Sequence, residues 1–268
     1  MSLRKRLPTA LVLLIFVFVC IQFLPKLWFF LFLQIIILAS LIEFYNLSQK
    51  RKLFPQKTIG VFIALIISVS FFFEEISLEI ALFASLFLIA IYFLIAFNKV
   101  EKLRFFSSSI ALTFFGAFYL SFPLNFFYPL REEKGPFYIY FLLAVIFLGD
   151  TGAYFFGKRW GRRKQVPMAS PNKTWEGGFG GILFALIGAV AAQQIFLRDI
   201  ILWQAVLCGI LVHIAAQISD PLESLFKRAV GVKDSSNALP GHGGFLDRID
   251  SLILAAPFFY YLIKYFWK

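Results

Sequence analysis

The stretch PTALVLLIFVFVCIQFL, residues 8–24, has no charged residue and no alternation of apolar with polar side chains. A helix of about 20 mostly apolar residues crosses the hydrocarbon core of a bilayer. Comparable runs recur at 27–46, 58–74, 76–97, 105–129, 136–156, 174–196, 200–219 and 246–265. Membrane barrels alternate apolar and polar residues along each strand, and these runs do not. The expectation is an all-α polytopic integral membrane protein with about nine transmembrane helices. Composition agrees: 60% of the 268 residues are hydrophobic, against about 45–50% in an ordinary soluble domain. The basic start MSLRKR before the first run is reminiscent of a secretory signal. CIQFLPK follows instead of a small-residue cleavage motif, so the run is read as a retained first span.

The net charge is +11. On a soluble chain that would suggest nucleic acid. Here no nucleic acid is expected, because cytoplasmic loops of membrane proteins are rich in Lys and Arg. With nine spans, twenty of the 26 basic residues fall on the side of the N-terminus and six on the other. That asymmetry predicts a cytoplasmic N-terminus and an outside C-terminus. All five tryptophans lie near predicted span ends, where amphipathic rings sit. Cys20 and Cys208 lie inside apolar runs and read as small buried hydrophobes.

Polar chemistry divides the chain. Residues 1–149 carry acids only at span edges and in loops, and read as a membrane bundle serving as scaffold and as an interface for a homodimer. Residues 150–268 read as the catalytic membrane region with a cytoplasmic-side active site. There, Asp150, Glu176, Asp220, Glu223, Asp234, Asp247 and Asp250 are expected on the cytoplasmic side together with ten Lys and Arg residues.

Four stretches carry the chemistry. In GDTGAYFFGKRWG, Asp150 lies about two turns inside an apolar run, where a carboxylate costs a few kcal/mol. It is a candidate metal ligand or a partner for a neighbouring arginine. In SPNKTWEGGFGG, Ser170 or Asn172 is expected to cap a helix with Pro171 in its first turn. Asn172 and Lys173 then become candidate phosphate ligands at the positive end of that helix, while Gly177, Gly178, Gly180 and Gly181 suit close helix contact.

In HIAAQISDPLESLFKR, His213, Gln217, Asp220, Ser224 and Lys227 would share one face of a continuous helix. Pro221 allows a second reading, with a fresh helix capped by Asp220. His213 alone reads as a hydrogen-bonded core histidine. In KDSSNALPGHGGFLDRID, residues 233–250, Asp247 and Asp250 are expected on one face at the start of the last span. Paired carboxylates behind a GHGG turn suit Mg²⁺, which takes one or two carboxylates plus phosphate oxygens and water. Lysines, arginines and carboxylates together describe nucleoside-triphosphate chemistry. GxxxxGK[ST] and HExxH are both missing from the sequence.

The segment SLFKRAVGVKDSSNALPGHGGFLDRID, residues 224–250, resembles the signature of the phosphatidate cytidylyltransferases. The matching positions are Ser224, Lys227, Arg228, Lys233, Asp234, Pro240, His242, Gly243, Gly244, Asp247, Arg248 and Asp250. SPNKTWEG is similar to a second stretch of that family. The resemblance implies CTP and phosphatidate as substrates, membrane lipids as surroundings, and Mg²⁺ with room for a second cation. It implies catalytic roles for Asp220, Lys227, Arg228, Lys233, Asp234, His242, Asp247 and Asp250. Substrate binding would fall to Asn172, Lys173, Ser224, Gly243, Gly244 and Arg248, and metal to Asp247, Asp250, Asp220 and Asp150. Rival readings are a related CTP-dependent lipid cytidylyltransferase or lipid kinase with another acceptor, and a secondary transporter with intramembrane charges along an ion path. The gathering of acids on one side argues against the transporter. The bacterial cytoplasmic membrane is the expected location.

Overall fold

A computed structural model of the chain describes residues 3–198, 200–238 and 243–266, with side chains described from Val12 onward. Its elements are α1 Leu3–Phe23, α2 Lys26–Lys50, α3 Lys57–Phe72, α4 Leu78–Ala96, α5 Val100–Leu103 and α6 Phe106–Leu124. A short α7, Phe127–Pro129, runs into a π-helical turn, Leu130–Lys134. There follow α8 Pro136–Trp160, β1 Lys164–Val166, β2 Ser170–Thr174, α9 Trp175–Phe196, α10 Leu202–Ala229, α11 Leu246–Ile249 and α12 Leu252–Phe266.

Among the described residues, seven stretches are long and apolar enough to cross a membrane: Lys26–Lys50, Leu78–Ala96, Phe106–Lys134, Pro136–Trp160, Trp175–Phe196, Leu202–Ala229 and Leu246–Phe266. Val12–Phe23 and Lys57–Phe72 are shorter apolar helices. Each predicted run falls on one of these stretches. Large apolar side chains project outward, such as Leu94 at 80% and Phe83 at 70% exposed. Lipid tails are as apolar as these side chains, so such exposure carries no penalty in a bilayer.

The chain forms two compact units. One comprises Met1–Tyr128 and Asp234–Arg248. In it, polar side chains bind helix to helix. Gln34 on α2 donates to Asn125 Oδ1 at 3.0 Å, and Asn125 donates to Ser68 Oγ on α3 at 2.8 Å. Tyr45 on α2 donates to the Thr113 carbonyl of α6 at 2.6 Å.

The other unit comprises Pro129–Lys233 and Ile249–Lys268. Here α8 and α9 pack through small residues. A Cβ at Gly152 would stand 2.6 Å from the Gly180 carbonyl, and one at Gly177 would stand 2.9 Å from the Ala153 carbonyl. This is the close helix contact expected of the α9 glycines. The compositional boundary at 149/150 falls inside α8, and the compact units divide after Tyr128, with the segment 234–248 belonging to the first.

Candidate active site

In the second unit the site is built on α10. This helix runs unbroken from Leu202 to Ala229 with Pro221 inside it, so the fresh helix start at Asp220 is not what forms. Neighbouring groups in a helical bundle re-satisfy the backbone that a proline frees, which is why the helix survives it. Continuity puts Gln217, Asp220, Ser224 and Lys227 on one stripe. Ser224 Oγ donates to Asp220 Oδ1 at 3.3 Å, and Lys173 Nζ lies 2.7 Å from Asp220 Oδ2. One turn on, Lys227 Nζ lies 2.6 Å from Glu223 Oε2, with both side chains buried. Asp250 acts electrostatically on Asp220, Glu223 and Lys227, and Asp150, on the surface of α8, acts on Lys173 and Asp220. Four acids and two lysines therefore influence one another here. Ser219 fastens the turn, donating to the Asp250 carbonyl and accepting from Leu254 N at 3.3 Å.

The expected helix cap at Ser170 or Asn172 does not form. Ser170–Thr174 is strand β2, paired antiparallel with β1 in the register Lys164 to Thr174 and Val166 to Ser170. The chain stays extended through Thr174, the true cap, whose Oγ1 accepts from Gly177 N at 3.1 Å. Glu176 in the first turn accepts from Arg162 N at 3.0 Å and Arg163 N at 3.3 Å, closing the loop behind the hairpin. Lys173 thus reaches Asp220 from a strand. Asn172 beside it is exposed. Arg228 donates to the carbonyls of Ala169 and Val232, each at 3.3 Å, tying the hairpin turn to the end of α10.

His213 is fully buried, as expected, but not hydrogen-bonded. Its ring fills the space over Gly149 and Gly181, and neither nitrogen has a partner among the described residues. Gln217 donates to the Gly178 carbonyl at 3.0 Å.

The first unit holds the other half of the signature. Asp247 Oδ2 accepts from Ser235 N and Gly244 N, each at 2.9 Å, and Ser235 Oγ also lies 2.9 Å from it. Gly243 has φ +81, a conformation suited to glycine, and a Cβ there would stand 2.8 Å from Asp247 Oδ2. Lys233, at the end of the second unit, and Asp234 and Arg248, in the first, are exposed. His242 and Pro240 lie outside the described residues.

The expectation that Asp247 and Asp250 share one helical face is corrected. α11 ends at Ile249 and α12 begins at Leu252, with Asp250 and Ser251 in a turn between them. Asp250 Oδ1 accepts from Ser251 N at 2.7 Å. The two acids belong to different units and have different partners.

Sequence reasoning passed over Glu43 and the serines 219 and 235, and placed Glu223 among the cytoplasmic-side acids without giving it a role in the site. Glu43 lies within α2 and is 6% exposed, while its carboxylate receives four hydrogen bonds from residues 235–246. The available signal was an ionisable residue inside an apolar run, which marks a functional position by default.

Hard oxygen donors suit Mg²⁺. Among the described residues, no three His, Cys, Asp or Glu side chains form a cage for an ion by themselves. The set instead fits the mode in which one or two carboxylates share the ion with substrate phosphates and water.

These features define a class: a helical protein with several membrane-spanning helices, in one unit of which acids and lysines are gathered. The chain belongs to the cytidylyltransferase family, whose profile matches residues 4–266. It is 38% identical over 191 residues to the phosphatidate cytidylyltransferase of Bacillus subtilis strain 168, covering 70% of this chain and 69% of that protein. It is 40% identical over 171 residues to the enzyme of that name from Staphylococcus epidermidis, covering 63% of this chain and 65% of that one. The corresponding Staphylococcus aureus strain COL protein is 39% identical over 171 residues, with the same coverage. The alignments thus span about two thirds of these relatives' length.

Proposed function

We infer that the protein is a phosphatidate cytidylyltransferase, transferring CMP from CTP to phosphatidate to give CDP-diacylglycerol and pyrophosphate. The observation that carries this reading is the family match over residues 4–266, with relatives of that name at 38–40% identity. The lipid phosphate is the nucleophile. A phosphomonoester has a second pKa of about 6, so at pH 7 it is largely dianionic and needs no strong general base. Its oxygen forms a bond to the α-phosphorus of CTP as the bond from that phosphorus to the bridging oxygen breaks, and pyrophosphate leaves. The obstacle is electrostatic, because two polyanions must meet and charge builds on the leaving group.

Lys173 and Lys227 answer that problem with positive charge, each held in place by its own carboxylate. Asp220 and Asp250 would hold Mg²⁺ together with phosphate oxygens, and Asp150 adds negative charge beside them. Held by these residues, the ion would supply neutralisation of phosphate charge. Asp247 remains a proposed ligand, although its Oδ2 is already engaged by Ser235 and Gly244. Arg228, Lys233 and Arg248 supply further cations for the triphosphate.

The test uses purified protein and CTP labelled at the α-phosphate, with and without phosphatidate. Labelled lipid and unlabelled pyrophosphate are expected. Label left in CDP beside a phosphorylated lipid would show a kinase, and turnover indifferent to phosphatidate would overturn the reading.

The site is proposed to face the cytoplasm of a bacterial inner membrane, with nine spans, a cytoplasmic N-terminus and an outside C-terminus. The seven long and two shorter apolar helices and the one-sided distribution of Lys and Arg support this. In a variant lacking Cys20 and Cys208, cysteines near Arg51 and Arg162 should be protected from an impermeant thiol reagent in intact cells. One near Glu132 should react. Labelling at Arg162 from outside would refute the topology. A homodimer is the proposed assembly, to be read from the mass of the detergent-solubilised protein.

A further inference from the structure

Glu43 receives four hydrogen bonds, two on each carboxylate oxygen. Oε2 accepts from Ser235 Oγ at 2.8 Å and Leu246 N at 3.0 Å. Oε1 accepts from Ser236 Oγ at 2.6 Å and Phe245 N at 3.1 Å. Each oxygen therefore holds one hydroxyl from before residues 239–242 and one backbone amide from after them. Glu43 fastens both ends of the signature loop to one point on α2.

The loop is shaped for this contact. A Cβ at Gly244 would stand 2.3 Å from Glu43 Oε2 and 2.0 Å from Ser235 Oγ, so no larger residue fits while Glu43 is seated. Asp247 is coupled to the same device. Ser235 Oγ lies 2.8 Å from Glu43 Oε2 and 2.9 Å from Asp247 Oδ2, and its single proton serves one carboxylate at a time. Gly244, whose amide donates to Asp247, directly precedes the two residues whose amides donate to Glu43.

A carboxylate within an apolar helix costs a few kcal/mol. Glu43 meets donors from both sides of residues 239–242, so its seating bears directly on the backbone that precedes Asp247. We propose that Glu43 is a positioning residue for cytidylyl transfer: it fixes the backbone around Gly244 and so holds Asp247 in its working orientation. This rests on the reading above that the signature loop serves that reaction.

Gln at 43 keeps the size but offers one acceptor oxygen, and its NH₂ would face a backbone N–H that can only donate. Misplacement of a catalytic constellation by about 1 Å costs on the order of 100-fold. Glu43→Gln should therefore lower kcat per folded molecule about 100-fold while leaving KM for CTP nearly unchanged. Faster hydrogen exchange at the Phe245 and Leu246 amides should accompany the loss. If Glu43→Gln does not fold, Ser236→Ala removes one donor without touching charge and should show a smaller loss in kcat at unchanged KM. Wild-type kcat in the folded Glu43→Gln protein, or in Ser236→Ala where only that variant folds, would overturn the proposal. So would a loss that only tracks the folded fraction. Wild-type protein inactive in the same assay would overturn the functional reading itself, and this inference with it.

Discussion

The two compact units keep carboxylates in place by different means. In the unit containing α8 to α10, Asp220 and Glu223 are held by Lys173 and Lys227. In the unit containing α2, Glu43 is held by two hydroxyls and two backbone amides. Lysine is a point charge on a flexible stem and can turn from a carboxylate to a phosphate. Amide donors are fixed by the backbone and directional. The first arrangement balances charge and can exchange partners. The second sets shape. On the proposed function, the lysine pairs meet the charge of the substrates and Glu43 sets the geometry of the loop.

The largest expected effect breaks the first arrangement. Lys227→Met leaves Glu223, 1% exposed, without its cation. Removing one partner of a buried pair costs about 3–5 kcal/mol, whereas replacing both with apolar residues is often neutral. Thermal unfolding in detergent should show severe destabilisation for Lys227→Met and near-complete recovery for Glu223→Leu/Lys227→Met. Turnover should stay low in the double variant, because the charge offered to phosphate is still gone. A stable, fully active double variant would reduce the pair to a structural role.

Next come two substitutions that set the units against each other. Asp220→Asn removes the charge opposite Lys173, and Asp247→Asn removes the charge that receives the Ser235 and Gly244 donors. Each should cost roughly 100-fold in turnover if it removes a few kcal/mol of transition-state interaction. Titration with Mg²⁺ separates them. Asp220→Asn should need more Mg²⁺ for half-maximal rate. Asp247→Asn should do the same only if it is a ligand in addition to its loop contacts. Full activity of Asp247→Asn with unchanged Mg²⁺ dependence would leave it the role of an anchor for Ser235 and Gly244.

Hydropathy alone located the apolar stretches, because a bilayer acts on each segment separately and the signal is local. The α10 stripe was legible too, since spacings of three and four residues define a face. Its continuity was not, because Pro221 argues locally for a break that the surrounding bundle overrides. The end of α10 at Ala229, ten residues past the predicted 219, follows from that. Glu43 was hidden for a different reason. Its partners lie 192 to 203 residues away along the chain. No window of sequence contains both, and its position near a span end made it look like an ordinary boundary acid. The turn at Asp250 and Ser251 escaped notice because the spacing of Asp247 and Asp250 assumes that one helix spans both.

The smallest prediction sharpens the comparison from the other direction, because neutral fastening also occurs in the lysine-paired unit. Thr174 is 4% exposed and caps α9 through a single bond from Gly177 N. Loss of a threonine cap costs about 1 kcal/mol, so Thr174→Ala should lower the unfolding temperature modestly. Ser170→Ala and Asn172→Ala should leave stability unchanged, because those residues lie in β2 and not at the helix start. Thr174 directly follows Lys173, so a loosened helix start also loosens the strand that carries the lysine. The drop in stability should therefore come with a small rise in KM for CTP, and not with the loss of kcat expected for Glu43→Gln. If Ser170→Ala or Asn172→Ala is the variant that destabilises, α9 begins where the sequence alone placed it, and the route by which Lys173 reaches Asp220 must be redrawn.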